Sequence, residues 1–208
     1  MNNNFCIAIS RQFGSGGRNI GKALADKLSL DFYDRELISL AAKENNLDQQ
    51  ISEESDEKAT NSLLYSLSMG LYSFGNSFSA MGDLPVNDTL YLLQHKIIKN
   101  LAQNGRCVIV GRCADLILRD NPNCISIFIH ANFEYRKNRA IEVYHIDKSR
   151  AGKIVKQTDK ARANYYSFYS GQKWGLAENY DLCLDSSKLE HEQIIDLIIQ
   201  YANLRTCI

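Results

Sequence analysis

Four short apolar runs, Phe5 to Ile9 (FCIAI), Arg106 to Val110 (RCVIV), Cys124 to Ile129 (CISIFI) and Tyr180 to Leu184 (YDLCL), are continuous rather than alternating. A strand that is apolar on both sides must be covered on both sides, as interior strands of a parallel sheet are. Segments of helical period separate them. Ile20, Leu24 and Leu28 recur every fourth residue, and Leu37, Ile38, Leu40 and Ala41 begin a second stripe that Asp34 is placed to cap. Ser187, with Glu190 three residues on, gives a capping-box pattern before Ile194, Ile195, Leu197 and Ile198. Strand and helix alternate, so the predicted fold is α/β, a three-layer parallel sheet with right-handed crossovers.

The stretch from about 46 to 104 departs from this rhythm. An acidic patch (Asp48, Glu53, Glu54, Asp56, Glu57) is followed by a Ser, Gly and aromatic-rich segment and a helix-like run from Thr89 to Leu101. It reads as a helical insertion within a single domain of 208 residues. Its apolar part, Leu63 to Phe78, is the candidate face for a homodimer.

Composition narrows the partners. The 24 basic residues cancel the 24 acidic ones, so no overall positive field exists to hold a nucleic-acid backbone or an anionic membrane. The expected partners are small anions. One local excess stands out: residues 132–173 carry ten Lys or Arg against four Asp or Glu. The six cysteines (Cys6, Cys107, Cys113, Cys124, Cys183, Cys207) include no CxxC pair, and four lie in or beside apolar runs, which predicts free thiols in a reducing compartment. With no cationic leader and no long apolar stretch, the expected location is cytoplasmic.

The segment with the clearest chemistry is Ser10 to Gly21, SRQFGSGGRNIG, between the first strand and the first helix. A glycine-rich turn there lets backbone N–H groups face an anion at the helix N-terminus, where unsatisfied donors and the helix dipole favour phosphate. Gly14, Ser15, Gly16, Gly17, Arg18 and Asn19 are the candidate cradle. Against the pattern GxxxxGK[ST], Arg11 stands where the first glycine belongs, Gly17 where the lysine belongs and Arg18 where the magnesium-binding hydroxyl belongs. Arg18 is the candidate to replace the lysine charge from the neighbouring position, since a guanidinium grips phosphate bidentately. The metal ligands are open, with Ser15 or Asn19 acting through water as the only candidates.

Taken together, ISRQFGSGGRNIGKALADKL…DFYDRELI, CVIVGRCADLIL, CISIFIHANFEYRKNR, KQTDKARANYYSFYSGQKWG and YDLCLDSSKL resemble the cytidylate-kinase-like family, relatives of the nucleoside monophosphate kinases. The resemblance spans nearly the whole chain except the insertion. It implies a P-loop kinase fold, a substrate-binding insertion, a mobile lid over about 144–175, and ATP with Mg²⁺ as the phosphoryl donor. It also implies site residues. Arg35 and Arg112 would bind the acceptor phosphate, and Asp34 a sugar or base group. Asp115 would join the acceptor site or pair with Arg112 or Arg119. Lys160 and Arg162 would close over the transferring phosphoryl group, with Arg139 and Arg136 supporting ATP. The acceptor implied is a nucleoside monophosphate, CMP or dCMP. Two other readings remain: a nucleotide-binding regulatory protein that lost turnover, and a kinase for another small metabolite. The histidines (His95, His130, His145, His191) show no partner pattern, and neither a Ser-His-Asp order nor paired carboxylates support hydrolysis.

Overall fold

A computed structural model describes residues 5–34 and 84–206. The chain divides into two compact units, one of Met1–Glu36 with Ile98–Ile208 and the other of Leu37–Ile97. The first unit holds a five-stranded sheet in the order β2-β3-β1-β4-β5, every described pairing parallel. The strands are β1 (Cys6–Arg11), β2 (Asp31–Tyr33), β3 (Cys107–Val110), β4 (Cys124–His130) and β5 (Leu182–Asp185). The helices are α1 (Gly17–Leu28), α2 (Leu84–Asn104), α3 (Ala114–Ile117), α4 (Phe133–Glu142), α5 (Lys148–Ser170) and α6 (His191–Thr206). Of the second unit, the described part is the helical stretch 84–97. The acidic patch, the candidate dimer face Leu63 to Phe78, Cys207 and Arg35 lie outside the described residues.

Three of the continuous apolar runs become interior strands buried on both faces, whereas the fourth, Tyr180 to Leu184, forms the edge strand β5, which is only partly buried and leaves Cys183 exposed. Ile7 and Ile9 of β1, Val108 and Val110 of β3, and Ile125, Ile127 and Ile129 of β4 meet Ile20 and Leu24 of α1 and Ile194, Ile195 and Ile198 of α6 in one core. Side chains alternate along a strand, so Arg11 shares the α1 side with Ile7 and Ile9, while Ser10 faces the opposite layer. The stripe Ile20, Leu24, Leu28 is realised, with Leu28 partly buried at its end. The five described cysteines are free, four of them buried and Cys183 exposed.

The capping contact of the last helix sits later than the sequence pattern suggests. Glu190 precedes α6, and its N–H donates to the Gln193 side-chain Oε1 at 2.9 Å, the half of a capping box in which the third helical residue reaches back to the chain before the helix. Ser187 instead donates its hydroxyl to Asp185 Oδ1 at 2.6 Å, turning the chain at the end of β5. Of the predicted stripe, Ile194, Ile195 and Ile198 are buried and Leu197 is exposed.

Strand β1 sits between β3 and β4, so the chain passes to one side of it and then to the other. This is the switch point at which open α/β sheets bind ligands, at the carboxyl ends of the strands. The loop after β1, the turn after β3 and the turns after β4 and β5 all open there. Among the described residues no helix is long and apolar enough to cross a membrane.

Candidate functional site: a glycine loop and three arginines

The loop from Gln12 to Gly16 is held by its neighbours at many points. Gln12 donates its N–H to the Ile129 carbonyl at 3.0 Å, and its side-chain oxygen accepts from the Ala131 N–H at 3.1 Å. The Ser186 hydroxyl donates to the Ser15 carbonyl at 2.6 Å, tying the loop to the end of β5. On the α5 side, Asp159 accepts the Phe13 N–H at 2.7 Å and pairs with Arg136. Arg136 also donates to the Phe13 carbonyl at 3.2 Å and to the Ala131 carbonyl at 3.0 Å. Gly14 and Gly16 each have a φ of +79°, which a β-carbon disfavours. A β-carbon at Gly14 would also overlap the Arg136 carbonyl. The loop is thus a preformed turn leading into the first turn of α1, with free backbone N–H groups at that helix end.

Three guanidiniums gather beside it. Arg11 ends β1, Arg112 follows β3, and Arg162 comes from α5 and donates to the Arg11 carbonyl at 3.0 Å. Burial holds the pKa of Arg11 well below its usual value, and the charges of Arg162 and Arg112 push it further the same way. Burial likewise lowers Arg112, opposed by Tyr165, and burial lowers Arg162 with a further push from Arg112 and opposition from Asp159. Three cations drawn partly out of water and repelling one another form a site whose electrostatics improve when an anion enters. The turn that aims Arg112 is strained: Gly111, Arg112 and Cys113 are all left-handed, with φ of 85°, 56° and 53°. Non-glycine residues in this region cost about 1 to 2 kcal/mol each, and such strain clusters at ligand-binding positions.

The other sequence-predicted residues fall in different places. Arg18 points away from the loop to Asp34, with Nε and Nη2 at 2.8 and 2.7 Å from the same carboxylate oxygen. Residues expected to serve the donor and the acceptor sides therefore neutralise each other. Asn19 is exposed, and the Ser15 hydroxyl donates to the Gln12 carbonyl at 2.9 Å. Asp115 is buried on the opposite layer of the sheet. It accepts from the Ser10 hydroxyl at 3.0 Å and helps line, with Arg119 and Tyr180, a cavity of about 520 Å³. Burial raises its pKa against the pull of Tyr166 and Ser10. It forms no ion pair with Arg112 or with Arg119, which lines the same cavity but donates to Gln172 Oε1 at 2.6 Å and acts on Asp115 only through its charge.

The segment expected to be a lid contains one continuous 23-residue helix, α5, docked through Ala151, Val155 and Tyr166. Asp159 and Arg162 share that face at i, i+3 spacing, whereas Lys160 is exposed on another face. Lys160 and Arg162 therefore do not converge. Arg136, expected to support ATP, is buried in the scaffold beneath Gly14.

Two residues join the site without a sequence signal. Asp159 is one. The other is His191, at the start of α6, whose Nε2 would meet a β-carbon on Gly16 at 2.5 Å; Arg139 Nη2 lies 3.5 Å from the same point. Both His191 Nε2 and Arg139 Nε are buried without a hydrogen-bond partner. Burial, then the Arg139 charge, lowers the His191 pKa from its usual 6.5, opposed by Glu190. The unfolded chain then takes up this proton at higher pH than the folded one, so stability falls as pH drops through and below about 6.5. His191→Gln is expected to flatten that part of the profile, read from urea midpoints between about pH 7.5 and about pH 5. A slope identical to wild type would show that other groups carry it.

Solved structures share this fold. An uncharacterized protein from Eubacterium ventriosum aligns with 30% identity and a TM-score of 0.72, covering 96% of this chain and 98% of its own. A gluconokinase from Sinorhizobium meliloti aligns at 13% identity and a TM-score of 0.55 over 94% and 90%. A shikimate kinase from Acinetobacter baumannii, in complex with shikimate, gives 11% and 0.51 over 94% and 91%. The architecture is that of the P-loop kinases. No curated protein matches the chain. The profile of the cytidylate kinase-like family matches residues 6–188, from the first strand through the turn after the last, and the chain belongs to that family.

Proposed function

We propose that the protein transfers the terminal phosphoryl group of ATP to a nucleoside monophosphate, CMP or dCMP. Membership of a kinase-like family supports nucleotide-dependent phosphoryl transfer as the reaction class. The observation that carries the reading is the convergence of Arg11, Arg112 and Arg162 beside the glycine loop. Phosphoryl transfer leaves little covalent work for a protein. It needs two phosphate-bearing partners aligned and the charge on the moving group neutralised. The backbone of Gly14 to Gly17 and the N-terminus of α1 suit the donor phosphates, and the three guanidiniums suit the moving and accepting phosphates. An acceptor phosphate is already a nucleophile, so no general base is required.

The cradle suits ATP: its two left-handed glycines let the backbone turn into the N-terminus of α1, whose first N–H groups suit the donor phosphates. The described residues do not offer Mg²⁺ an equivalent fit. Asp34 pairs with Arg18 and Asp159 with Arg136. Among the described residues no group of three or more His, Cys, Asp or Glu side chains is arranged to hold a metal. No step is therefore assigned to Mg²⁺.

The test is ADP release from ATP over a panel of nucleoside monophosphates, sugars and small hydroxy acids. Turnover is expected with a monophosphate, the cytidine forms first. Turnover only with a non-nucleotide acceptor would move the protein to another kinase class, and ATP binding with no turnover on any acceptor would favour a regulatory nucleotide binder.

A further inference from the structure

The loop lacks the lysine that P-loop kinases place on the donor phosphates, and the residue in its position is Gly17. The backbone at Gly17 is not left-handed, so φ does not explain the glycine. Space does. A β-carbon there would lie 2.6 Å from Arg11 Cβ, 3.1 Å from Arg11 Cγ and 3.2 Å from Ile129 Cβ. The stem of Arg11 already fills the volume into which a side chain at position 17 would grow. Further out, the Arg11 guanidinium rests against Gly111, where a β-carbon would overlap Nη1 and lie 2.9 Å from Cζ. Glycines at 17 and 111 thus both lie against Arg11, the first along its stem and the second at its guanidinium. The same Arg11 stands at the position of the first P-loop glycine. Two departures from the motif, a side chain gained at 11 and one lost at 17, are one compensated exchange.

We propose that Arg11 replaces the P-loop lysine: its side chain runs across Gly17 and delivers a guanidinium to the donor nucleotide's β- and γ-phosphates, between the loop and Arg112 and Arg162. The proposal rests on the phosphoryl-transfer reading. It assigns the displaced cation to Arg11 and leaves Arg18, bound to Asp34, outside the phosphate contacts. A guanidinium keeps its charge under this degree of burial and crowding better than an ammonium, which suits Arg to a site containing two more cations.

The experiment compares wild type with Arg11→Gln, Arg11→Gly, Gly17→Lys and the Arg11→Gly/Gly17→Lys double variant, by calorimetric titration with ATP and pyrophosphate and by thermal melting without ligand. Arg11→Gln keeps the stem and removes the charge. It is expected to bind ATP about tenfold to a hundredfold more weakly, with a melting midpoint equal to or above wild type because repulsion with Arg112 and Arg162 is relieved. Gly17→Lys alone is expected to melt lower, since the new side chain collides with Arg11. The double variant rebuilds the ordinary motif, and both its midpoint and its ATP affinity are expected to exceed those of either Arg11→Gly or Gly17→Lys. Wild-type affinity in Arg11→Gln, or a double variant that binds no better than Arg11→Gly, would overturn the assignment. A wild-type protein that binds neither ATP nor pyrophosphate would overturn the phosphoryl-transfer reading itself and this assignment with it. Melting reports separately on the packing of Arg11 against Gly17: a Gly17→Lys midpoint equal to wild type removes its structural basis.

Discussion

Arg136→Ala is expected to destabilise the protein by about 3 to 5 kcal/mol, a large share of the total stability of an ordinary domain. Arg136 and Asp159 are both largely out of water, with side chains 10% and 16% exposed. Removing the guanidinium leaves the Asp159 carboxylate with the Phe13 N–H and the more distant charge of Arg162, and strips donors from the Phe13 and Ala131 carbonyls. A buried charge that loses its hydrogen-bonded partner costs more than the pair contributes. The change also reaches the loop, because Phe13 precedes Gly14 and Gly14 lies against the Arg136 backbone. The double variant Arg136→Ala/Asp159→Ala is expected to lose clearly less than the sum of the two single variants, since it leaves no stranded charge. Urea denaturation of the three variants measures this. Additive losses would mean that the two side chains stabilise the loop independently.

The sheet was legible because its signal is local: short β-branched runs apolar on both sides, separated by segments of helical period, are consistent with strands of a parallel sheet. The glycine loop was legible for the same reason, since glycines between a strand and a helix are a property of neighbouring residues. What could not be read are relations between residues distant in sequence. Arg18 and Asp34 are 16 positions apart, Asp159 is 146 from the Phe13 it holds, and Arg162 is 151 from Arg11. Single-sequence patterns carry nothing about such pairings, and so Arg18 looked like the natural lysine substitute while its charge was already committed.

The face on which a residue lies was partly available and decisive. Ser10 and Arg11 are adjacent, yet one reaches Asp115 and the other the glycine loop, as strand alternation requires. Lys160 and Arg162 are two apart on a helix and diverge for an analogous reason. Their likeness in charge suggested a joint role that helical geometry does not permit in this docked position. The exchange between positions 11 and 17 was visible as two anomalies in the motif, but only the packing of one against the other makes them a single feature.

That divergence gives the second large effect. Arg162→Ala is expected to lower turnover by about 10² to 10³, or about 2 to 4 kcal/mol of transition-state stabilisation, comparable to losing one preorganised electrostatic donor. Lys160→Ala should stay within about 0.5 kcal/mol of wild type in stability and near it in turnover, since its side chain is exposed and meets nothing in the site. Arg162 also donates to the Arg11 carbonyl, so Arg162→Lys is the informative companion. It keeps a positive charge but lacks the planar fork that serves a carbonyl and a phosphate together, and is expected to recover only part of the loss. Steady-state kinetics on the acceptor identified by the panel, with melting temperatures alongside, separate the cases. Equal losses for Lys160→Ala and Arg162→Ala would show that α5 turns or closes during the reaction and brings both cations to the phosphate, which would restore the lid role expected for residues 144–175. A loss confined to Arg162 places the working face of α5 on the stripe Val155, Asp159, Arg162 and Tyr166, where the docked helix already presents it.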